Sequence, residues 1–596
     1  MTHLPATRMG HAKVILLIAF VALAAKLFDI QVRQHSALAD RLAKQQTQHI
    51  LLHAHRGAIL DRNGDVIAAE QPTYDVEAHI PEMQDAEAVA RAVAHVAGGD
   101  TEQLRARILA FAQRSPERSL VLVRDLPWNE EARRALTGVR GIVVTEQRDR
   151  TYSLGYRGGQ MTGCVSADGE GQQGIEKDWD TELAGRDGQA EVRLTPGPSV
   201  PDPASSRHIR IRLPVLGQDY RILRQPQDGK SIYLTIDARI QTIVEEELAR
   251  GLTESGAKGG TVVVLHPKTG DILALASVPS FNANDRAARR RATAPDRRNL
   301  AVGLRYEPGS VAKPLVVAAG LDAGVVSLSS TFKCTGSLRY AGSTMRCWVG
   351  GRGHGTETLS EVIRDSCNVG AALTAKALGA PRATSYLRSF GLAQPTLERC
   401  SAEAAGFIPS PDRLVPSDVL RLGFGQAFSV TPIGLARAFT VFANDGIMVQ
   451  PRLLHKITDP KDGSAQVLPQ PQAKRVISAS AARAVREMMV SVVDGGTGKS
   501  AAIPGLRIAG KTGTAQKATA GKGFNSDAVV TSFIGLFPAQ SPTYLVLVVY
   551  DEPQRLKWGS VAAAPVFRRI ALRLAQRDGL LSSTPPSAEH QRRAAQ

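Results

Sequence analysis

Three short motifs carry the side chains of this sequence that could do chemistry together. Ser310 and Lys313 form S-x-x-K, Ser366 and Asn368 form S-x-N, and residues 511–514 read K-T-G-T. A serine hydroxyl becomes a nucleophile only when a neighbouring group takes its proton. Each motif alone occurs by chance in many proteins. Their combination in one chain predicts a serine nucleophile whose base is a lysine.

The sequence around Ser310 predicts that it begins a helix. Residues 307–309 read Glu-Pro-Gly, which is a turn, and Pro314 suits a first helical turn. The positive end of the helix dipole favours an attacking alkoxide and a developing oxyanion. Lys313 then lies on the same helical face as Ser310, within hydrogen-bond reach. The alternative is a solvated serine at a helix start beside an exposed lysine.

Lys313 can act as a base only if it is uncharged near pH 7. Its pKa must then lie about three units below that of a free lysine, which corresponds to about 4 kcal/mol. We expect burial and the like charge of Lys511 to supply this shift. Ser366 can relay a proton to the leaving group, and Asn368 can orient Lys313 and bind a substrate amide. In isolation, the S-x-N motif is as compatible with a turn that caps a helix as with a catalytic role.

The K-T-G-T motif follows a strand-like LRIAG and is expected on an edge strand. Gly513 would let a substrate backbone approach closely. Thr512 and Thr514 offer hydroxyls to a terminal carboxylate, and Lys511 offers charge. The backbone N–H groups of Ser310 and Thr514 are the candidates for an oxyanion hole, in which one donor stabilises a transition state by about 3 kcal/mol. The predicted reaction class is acyl transfer through an acyl-serine.

The elements that position these motifs begin near Gly229. Strand 232–236 precedes a helix at 238–250 that Asp237 can cap. Further strands are predicted at 261–265, 272–276, 506–512, 529–537 and 544–550. Helices are predicted between and after them, at 311–323, 358–378, 380–390, 431–444, 479–494 and 564–577. A sheet whose strands come from both ends of a domain, with helices inserted, indicates an α/β layered enzyme.

The N-terminal segment is apolar. Arg8 and Lys13 precede an uncharged run from Val14 to Ala25, and Lys26 can extend its stem to a headgroup layer. A run this short is also typical of a cleaved signal peptide. We favour an uncleaved signal-anchor, because no polar spacer separates the run from a cleavage-like site. The basic residues before the run predict a cytoplasmic N-terminus.

Composition narrows the class of protein. A chain of 596 residues is too long for one core, so two or three domains are expected. The net charge of +17 fits nucleic acid, anionic lipid or an acidic polymer, but the basic residues are scattered, which disfavours nucleic acid. Five cysteines exclude a disulfide scaffold, and whether Cys334 and Cys347 pair stays open. No Cys/His group has metal-ligand spacing, so neither metal nor cofactor is expected.

The motif set resembles that of penicillin-binding proteins and β-lactamases. Further blocks resemble the class B penicillin-binding proteins over nearly the whole chain: HRGAILDRNGDVIA (55–68), GQQGIEKDWDTELAGRDG (171–188), LTIDARIQ (234–241), HPKTGDILALASVPSFNAND (266–285), RYEPGS (305–310), TPIGLARAFTVFANDG (431–446), SFIGLFPA (532–539) and DEPQ…VAAAPVF (551–567). The chain is therefore identified as a member of this family.

This resemblance implies an α+β or α/β multidomain fold. One transmembrane helix would precede an extended mixed pedestal domain and a C-terminal, β-lactamase-like penicillin-recognising domain with a central antiparallel sheet flanked by helices. The implied boundaries are a cytoplasmic tail at 1–12, an anchor at 13–32, the pedestal at 33–228, the transpeptidase domain at 229–578 and a disordered tail at 579–596.

The resemblance also implies an activity. Ser310 would attack the D-Ala–D-Ala bond of a peptidoglycan stem peptide, release D-alanine and pass the acyl group to an amine on a neighbouring strand. β-Lactams would acylate the same serine. The enzyme would sit in the cytoplasmic membrane, catalytic domain outside, beside a membrane-embedded glycosyltransferase and other wall-assembly proteins. Ser-Cys-Asn at 366–368 and DEPQ…VAAAPVF favour a role in division or sporulation. GSVAKP (309–314) and CWVGGRGHG (347–355) are typical of elongation enzymes, so the choice among division, sporulation and elongation stays open.

Two other classes of protein compete with this interpretation. A β-lactamase or D,D-carboxypeptidase would share the chemistry, but the long N-terminal region with its anchor argues against both. A non-catalytic wall-assembly scaffold or β-lactam sensor would share the binding domain. The intact motifs argue against that class.

Overall fold

The structure is a computed structural model that describes residues 6–38, 47–127, 129–166, 168–193, 220–470, 472–519 and 523–581. The chain forms two compact units whose segments alternate. The first comprises 1–55, 71–149 and 185–228, and the second comprises 56–70, 150–184 and 229–596. Segments 56–70 and 150–184, which the sequence boundaries assign to the pedestal, thus lie in the second unit. The predicted tail at 579–596 falls outside the described residues from residue 582 onward.

The N-terminal segment is helical, as predicted. An α-helix at Ala6–Phe28 continues into a π-helical turn at Asp29–Arg33. The stretch Lys13–Arg33 has a mean hydropathy of 2.2, and none of its most apolar window is buried. Within the described residues it is the one helix long and apolar enough to cross a membrane. Lys26 forms an ion pair with Asp29, one turn further on, at 3.8 Å.

The first unit contains two antiparallel pairings of strands. The strands Thr47–Leu52, Gly188–Arg193 and Tyr220–Arg224 form one sheet in that order. In the other, the later part of Val66–His79 pairs with Ser119–Pro127 and with Ile142–Tyr152. Three helices pack on the second sheet through a core that includes Val89, Val93 and Ile108; they are Ala86–Ala97, Thr101–Arg114 and Glu130–Leu136.

The second unit is built on a five-stranded antiparallel sheet. Its strands are β1 (Gly259–Leu265), β2 (Ile272–Val278), β3 (Ala509–Thr519), β4 (Gly523–Phe537) and β5 (Tyr544–Asp551), in the spatial order β2-β1-β5-β4-β3. The predicted combination of strands from both ends of the domain is confirmed. β3 lies at the edge, as predicted, and runs to Thr519 because it pairs with β4 along its full length.

Helices cover both faces of this sheet, because side chains alternate along each strand. On β1, Val262 and Val264 face one core and Val263 and Leu265 face the other. The helices α1 (Ala238–Ser255), α2 (Lys313–Asp322), α3 (Leu359–Arg364), α4 (Asn368–Ser389), α5 (Pro432–Ala443), α6 (Ala479–Asp494) and α7 (Gly559–Arg577) enclose it. α1 and α7 cover one face, and the others lie on the opposite side. Asp237 caps α1 as predicted, accepting hydrogen bonds from two backbone N–H groups.

The helix predicted at 358–378 is wrong in one respect. It is broken at Ser366, whose φ of +59° lies in the left-handed region, so α3 ends before it and α4 begins after it. Residues other than glycine rarely adopt this backbone conformation, and where they do it is often at a functional site. The predicted separation from the helix at 380–390 is present as a non-helical Gly379 within α4.

The remaining elements of the second unit are short. The strands Ser231–Leu234, Leu454–Thr458, Ala465–Val467, Ile59–Leu60 and the start of Val66–His79 form a smaller sheet. The other strands are Cys164–Val165, Gly171–Gln173, Thr331–Cys334, Ser337–Tyr340, Ser343–Arg346, Gly355–Thr358, Ile447–Val449 and Ala473–Arg475. The other α-helices are Gly159–Thr162, Gly174–Asp178, Asp180–Leu183, Arg286–Arg291, Ala294–Arg297, Leu300–Gly303 and Pro416–Leu422.

Two of the sequence blocks named above, 55–68 and 171–188, meet at a buried ion network in the second unit. Glu176 is fully buried and binds Arg56 Nε through one carboxylate oxygen at 2.7 Å and Arg150 Nε through the other at 2.8 Å. Asp180 binds Arg56 Nη1 at 2.7 Å. Arg56 and Arg150 are each at most 3% exposed at the side chain. The network joins segments 56–70 and 150–184 to each other within the second unit.

Replacing Glu176 with glutamine is expected to lower the free energy of unfolding of the second unit by about 3–5 kcal/mol. The loss arises because two guanidinium groups would stay buried without their shared counter-charge. Urea unfolding of the detergent-solubilised chain measures it. Glu246→Gln is the control, because Glu246 pairs with Arg157 and Arg573 at the surface, where an ion pair contributes at most about 1 kcal/mol. Equal losses in the two variants would contradict the prediction.

Candidate active site

The serine-bearing segment begins a helix, as predicted. Gly309–Ala312 is a 3-10 turn that continues directly into α2, and Pro314 lies in the first turn of α2. Gly309 has φ of +58°, and its N–H donates to the carbonyl of Gly425 at 3.0 Å. The carboxylate of Glu307 accepts a hydrogen bond from the backbone of Ala427 at 3.1 Å. These contacts hold the turn, and they leave Ser310 half-buried at the start of the helix.

The K-T-G-T segment of β3 lies directly against this turn. A Cβ on Gly513 would clash with Ser532 Oγ of β4 and would come within 2.6 Å of Val311 Cγ2 and 3.3 Å of the Pro308 carbonyl. A glycine is therefore required here because both the neighbouring strand and the serine-bearing turn pack on it. Thr514 is half-buried, and its hydroxyl accepts a hydrogen bond from the N–H of Gly559 at 3.1 Å.

The S-x-N segment supplies the partners of Lys313. The Lys313 amine lies 3.2 Å from Ser366 Oγ and 2.8 Å from Asn368 Oδ1, and it also contacts the Ser366 carbonyl. The left-handed backbone at Ser366 directs both its hydroxyl and its carbonyl toward this amine. Asn368 Nδ2 donates to the carbonyl of Arg346 at 3.2 Å, which leaves its oxygen for Lys313. The predicted orientation of Lys313 by Asn368 matches this geometry.

The Ser366 hydroxyl also joins the second lysine to the site. Lys511 Nζ lies 2.9 Å from Ser366 Oγ and 3.1 Å from the carbonyl of Thr512. One hydroxyl thus lies within hydrogen-bond distance of two amines, and it can accept a proton from one and donate to the other. The three motifs, from distant parts of the chain, meet as the sequence predicts.

Burial lowers the basicity of both lysines. Lys313 and Lys511 are fully buried. Burial lowers the pKa of Lys313 to about 8, although nearby thiols and Glu357 oppose the shift. The pKa of Lys511 is lowered well below its ordinary value by burial and by the charge of Lys313. The expected direction for Lys313 is present, and burial rather than repulsion is its main cause.

The rate of acylation by a β-lactam is expected to rise with pH through about 8. A lysine of lowered pKa is uncharged above that pKa, so the fraction of free enzyme with an available base falls about tenfold per pH unit below it. Second-order acylation rates between about pH 6 and pH 9.5 measure this. Thermal unfolding at each pH is the control for loss of folded protein. A rate that stays constant across this range would argue against Lys313 as the base.

The predicted motif set missed Thr497, whose hydroxyl lies 3.1 Å from Thr512 Oγ1. Its signal was the Gly-Gly-Thr-Gly run at 495–498, a loop pattern with no catalytic meaning by itself. It also missed the grouping of Cys334, Cys347, His354 and Cys367, the last of which lies between Ser366 and Asn368. Folding therefore brings together four side chains whose spacing along the chain is irregular, so the absence of metal-ligand spacing in the sequence did not predict this grouping.

Comparison with known proteins agrees with this geometry. Residues 260–572 match the penicillin binding protein transpeptidase domain, and residues 51–199 match the penicillin-binding protein dimerisation domain. The chain is 31% identical to Stage V sporulation protein D of Bacillus subtilis, covering 93% of this chain and 83% of that protein. It is also 31% identical to the probable peptidoglycan D,D-transpeptidase PenA of Neisseria gonorrhoeae, covering 95% and 92%.

The fold has solved counterparts. The crystal structure of penicillin binding protein 3 from Mycobacterium tuberculosis complexed with aztreonam matches with a TM-score of 0.67 and 28% identity, covering 90% of this chain and 99% of that one. The expected α/β architecture, with a central antiparallel sheet and a pedestal-type region, is thereby confirmed. The chain therefore belongs to the class B penicillin-binding proteins, and it is a peptidoglycan D,D-transpeptidase.

Proposed function

We propose that Ser310 is the nucleophile of this transpeptidase and that Lys313 is its base. The observation that carries the proposal is the position of Ser366 Oγ, within 3.2 Å of both lysine amines, of which Lys313 lies three residues after Ser310. Burial lowers the pKa of this amine to about 8, so a fraction of it is uncharged near pH 7 and can receive the serine proton. Ser366 then provides a path for that proton, and Asn368 orients Lys313.

Acylation proceeds in two steps. Ser310 Oγ attacks the carbonyl carbon of the D-Ala–D-Ala bond while Lys313 takes its proton, and the carbonyl oxygen becomes an oxyanion. The N–H groups of Ser310 and Thr514, on adjoining segments, stabilise that charge. The C–N bond then breaks, and the proton returns through Ser366 to the departing D-alanine amine. An amine of a neighbouring stem peptide then attacks the acyl-serine carbonyl carbon. The amine gives up a proton through Ser366 to Lys313, Lys313 returns a proton to Ser310 Oγ, and the ester bond to Ser310 breaks.

The K-T-G-T segment selects substrates that end in a carboxylate. Thr514 already accepts a hydrogen bond from Gly559, so its own proton is available to a ligand. Lys511 is fully buried and is bound to Ser366 and Thr512, so it acts through its field and through Ser366. Thr512, which is 8% exposed, is held by Thr497. We assign the direct carboxylate contact to Thr514.

The N-terminal helix anchors the chain in the cytoplasmic membrane, with one pass at 13–32 and residues 1–12 inside. The positions of Arg8 and Lys13 before the apolar run support this orientation. The pedestal at 33–228 and the catalytic domain at 229–578 then lie outside. There the substrate is glycan made by a membrane-embedded glycosyltransferase, which acts beside this enzyme with other wall-assembly proteins. Protease accessibility of intact spheroplasts tests the orientation, and a protected catalytic domain would exclude it.

The wall-synthesis role that we propose is septal. The Ser-Cys-Asn motif and the DEPQ…VAAAPVF block support it, and one relative is named a stage V sporulation protein. A fluorescent fusion is expected to concentrate at division sites. Signal distributed along the lateral wall would favour elongation.

The decisive experiment supplies the purified chain with polymerised, uncrosslinked glycan. We expect D-alanine release together with crosslinked muropeptides. D-Alanine release without crosslinks would identify a carboxypeptidase. Rapid hydrolysis of penicillin, in place of a long-lived adduct, would identify a β-lactamase. A chain that releases no D-alanine and forms no penicillin adduct would be a scaffold. A sensor would release no D-alanine but would still form the adduct.

A further inference from the structure

A dense group of arginines lies on the surface of the second unit. Residues 285–298 contain six arginines and two aspartates. Five of these arginines form what we call the arginine surface: Arg289, Arg290, Arg291, Arg297 and Arg298. The catalytic mechanism uses none of them.

Two short helices bring these side chains together. The first is Arg286–Arg291, and the second is Ala294–Arg297. The guanidinium group of Arg297 folds back on the end of the first helix. Its Nε donates to the carbonyl of Ala292 at 3.2 Å, and a terminal nitrogen contacts the carbonyl of Arg289. The two arginine runs of the sequence thus become one cluster in the fold.

Backbone carbonyls hold the ordered members of the arginine surface. Arg289 Nη1 donates to the carbonyl of Val165 at 3.2 Å, and Arg298 Nη2 donates to that of Gly303. A carbonyl satisfies a hydrogen-bond donor but carries no net charge, and a guanidinium group stays charged. In the part of the chain that the structure describes, none of the five arginines forms an ion pair with a carboxylate.

The two aspartates of this segment are engaged in capping the two helices. Asp285 accepts hydrogen bonds from the N–H groups of Ala287 and Ala288, both at 2.8 Å. Asp296 accepts hydrogen bonds from the N–H and the hydroxyl of Thr293, at 2.7 Å and 2.6 Å. Because the arginines outnumber these two carboxylates by six to two, the segment keeps a net positive charge.

Two members of the arginine surface have no role in holding the fold. Arg290 and Arg291 are exposed, and among the described residues neither has a hydrogen bond or an ion pair. Adjacent like charges repel each other, and the negative end of the helix dipole offsets only part of that repulsion. An anionic partner would remove the rest, so the surface is suited to bind one.

The arginine surface belongs to the same compact unit as the catalytic motifs. Arg298 precedes Ser310 by twelve residues, and the helical turn Leu300–Gly303 lies between them. Twelve residues span at most about 40 Å even when fully extended. A polymeric substrate bound at the catalytic motifs can therefore reach the arginine surface with another of its repeats.

The substrate of a peptidoglycan transpeptidase has the complementary charge. Each uncrosslinked stem peptide ends in a carboxylate, so a glycan strand carries carboxylates at repeated intervals. The planar guanidinium group binds a carboxylate through two parallel hydrogen bonds.

We infer that the arginine surface is an exosite, a binding site outside the catalytic cleft. It binds stem-peptide carboxylates of a peptidoglycan strand while another stem peptide of that strand occupies the cleft. The inference rests on the proposed transpeptidation of stem peptides, but it does not depend on which residue is the nucleophile.

Crosslinking kinetics of an arginine variant test the exosite. Arg290→Gln combined with Arg291→Gln removes two charges that hold no other residue, so thermal stability should be unchanged. With polymerised, uncrosslinked glycan in neutral detergent, we expect KM to rise about fivefold and kcat to change by less than about twofold, because two exposed ion pairs are lost. Acylation by a labelled penicillin, which has no second repeat, should keep the wild-type rate.

The matched control is Arg483→Gln combined with Arg507→Gln. It removes the same net charge, but these two arginines are already paired, with Asp445 at 2.9 Å and with Glu487 at 2.6 Å. Its KM should equal that of the wild type. An equal rise of KM in both double variants would overturn the inference, because the overall charge of the chain would then attract the strand.

A binding measurement separates the exosite from the catalytic cleft. The full chain is first acylated with penicillin, which occupies the cleft, and is then sedimented with uncrosslinked glycan. We expect the wild type to co-sediment, and Arg290→Glu combined with Arg291→Glu to bind at least about tenfold more weakly, because attraction becomes repulsion. Binding that survives amidation of the stem-peptide carboxylates would refute these groups as the ligands. A chain that forms no penicillin adduct would refute the proposed function instead.

Anionic lipid is the competing ligand for exposed arginines. The glutamine double variant is therefore also compared with the wild type in vesicles that contain phosphatidylglycerol. A rise of KM in these vesicles that is absent in neutral detergent would assign the arginines to lipid headgroups and overturn the inference. A KM equal to that of the wild type in both media would also overturn it.

Discussion

Replacing Ser310 with alanine is expected to abolish acylation by a labelled penicillin, with a loss of at least about 10⁴-fold in rate. The reason is that Ser310 alone would form the covalent bond, so no neighbouring group can substitute for it. Ser366, the other serine of the three motifs, is 6% exposed and is held between Lys313 and Lys511. Fluorescent penicillin on a denaturing gel measures adduct formation, and mass mapping of the labelled peptide locates it.

The control for this variant is Ser478→Ala. Ser478 also stands at the start of a helix, where its hydroxyl caps α6 by accepting a hydrogen bond from the Ala481 N–H. Its loss should cost about 1 kcal/mol of stability and leave the acylation rate unchanged. A labelled peptide that does not contain Ser310, or undiminished labelling of Ser310→Ala, would refute the assignment of the nucleophile.

Replacing Lys313 with alanine is expected to slow acylation by about 10³-fold while the protein remains folded. General-base catalysis typically contributes about 10²- to 10⁴-fold. The alanine variant also leaves Ser366 and Asn368 without their buried partner, so it removes orientation as well as the base. Lys313→Met separates these effects from loss of volume, because methionine fills much of the same space without an amine. Stopped-flow acylation kinetics measure both variants.

Lys376→Met is the matched control. Lys376 lies on α4 and packs over the ring of Tyr340, outside the three catalytic motifs. It should acylate at the wild-type rate. If Lys313→Met acylates within about tenfold of the wild type, another group must take the serine proton. Lys511 would then be the first group to test, because its amine contacts the same hydroxyl.

Local signals determined much of the catalytic fold. Asp237 before an apolar-faced helix, and short apolar strands at both ends of the second unit, correspond to real elements because each depends on neighbouring residues in the chain. The turn before Ser310 and the edge position of Lys511 were also predictable from local patterns. Residue types alone indicated the chemistry, since S-x-x-K, S-x-N and K-T-G-T together have few other uses.

Long-range packing decided what local patterns could not. The break at Ser366 contradicts the helical pattern of its segment, and it exists because the Ser366 carbonyl and hydroxyl bind Lys313 from another helix. Segments 56–70 and 150–184, which are far apart in sequence, are joined to each other by the ion network of Glu176, and both belong to the second unit.

The sequence by itself therefore determined the family and the reaction class, and it predicted the side chains that we propose perform the reaction. Only the tertiary structure decided how strongly Lys313 is buried, which groups it contacts, and that three cysteines and a histidine meet behind the catalytic loop. The physical reason is that the pKa of a lysine depends on its burial, and a cluster of side chains depends on which segments pack against each other. Both are set by contacts between residues distant in the chain, which no local pattern encodes.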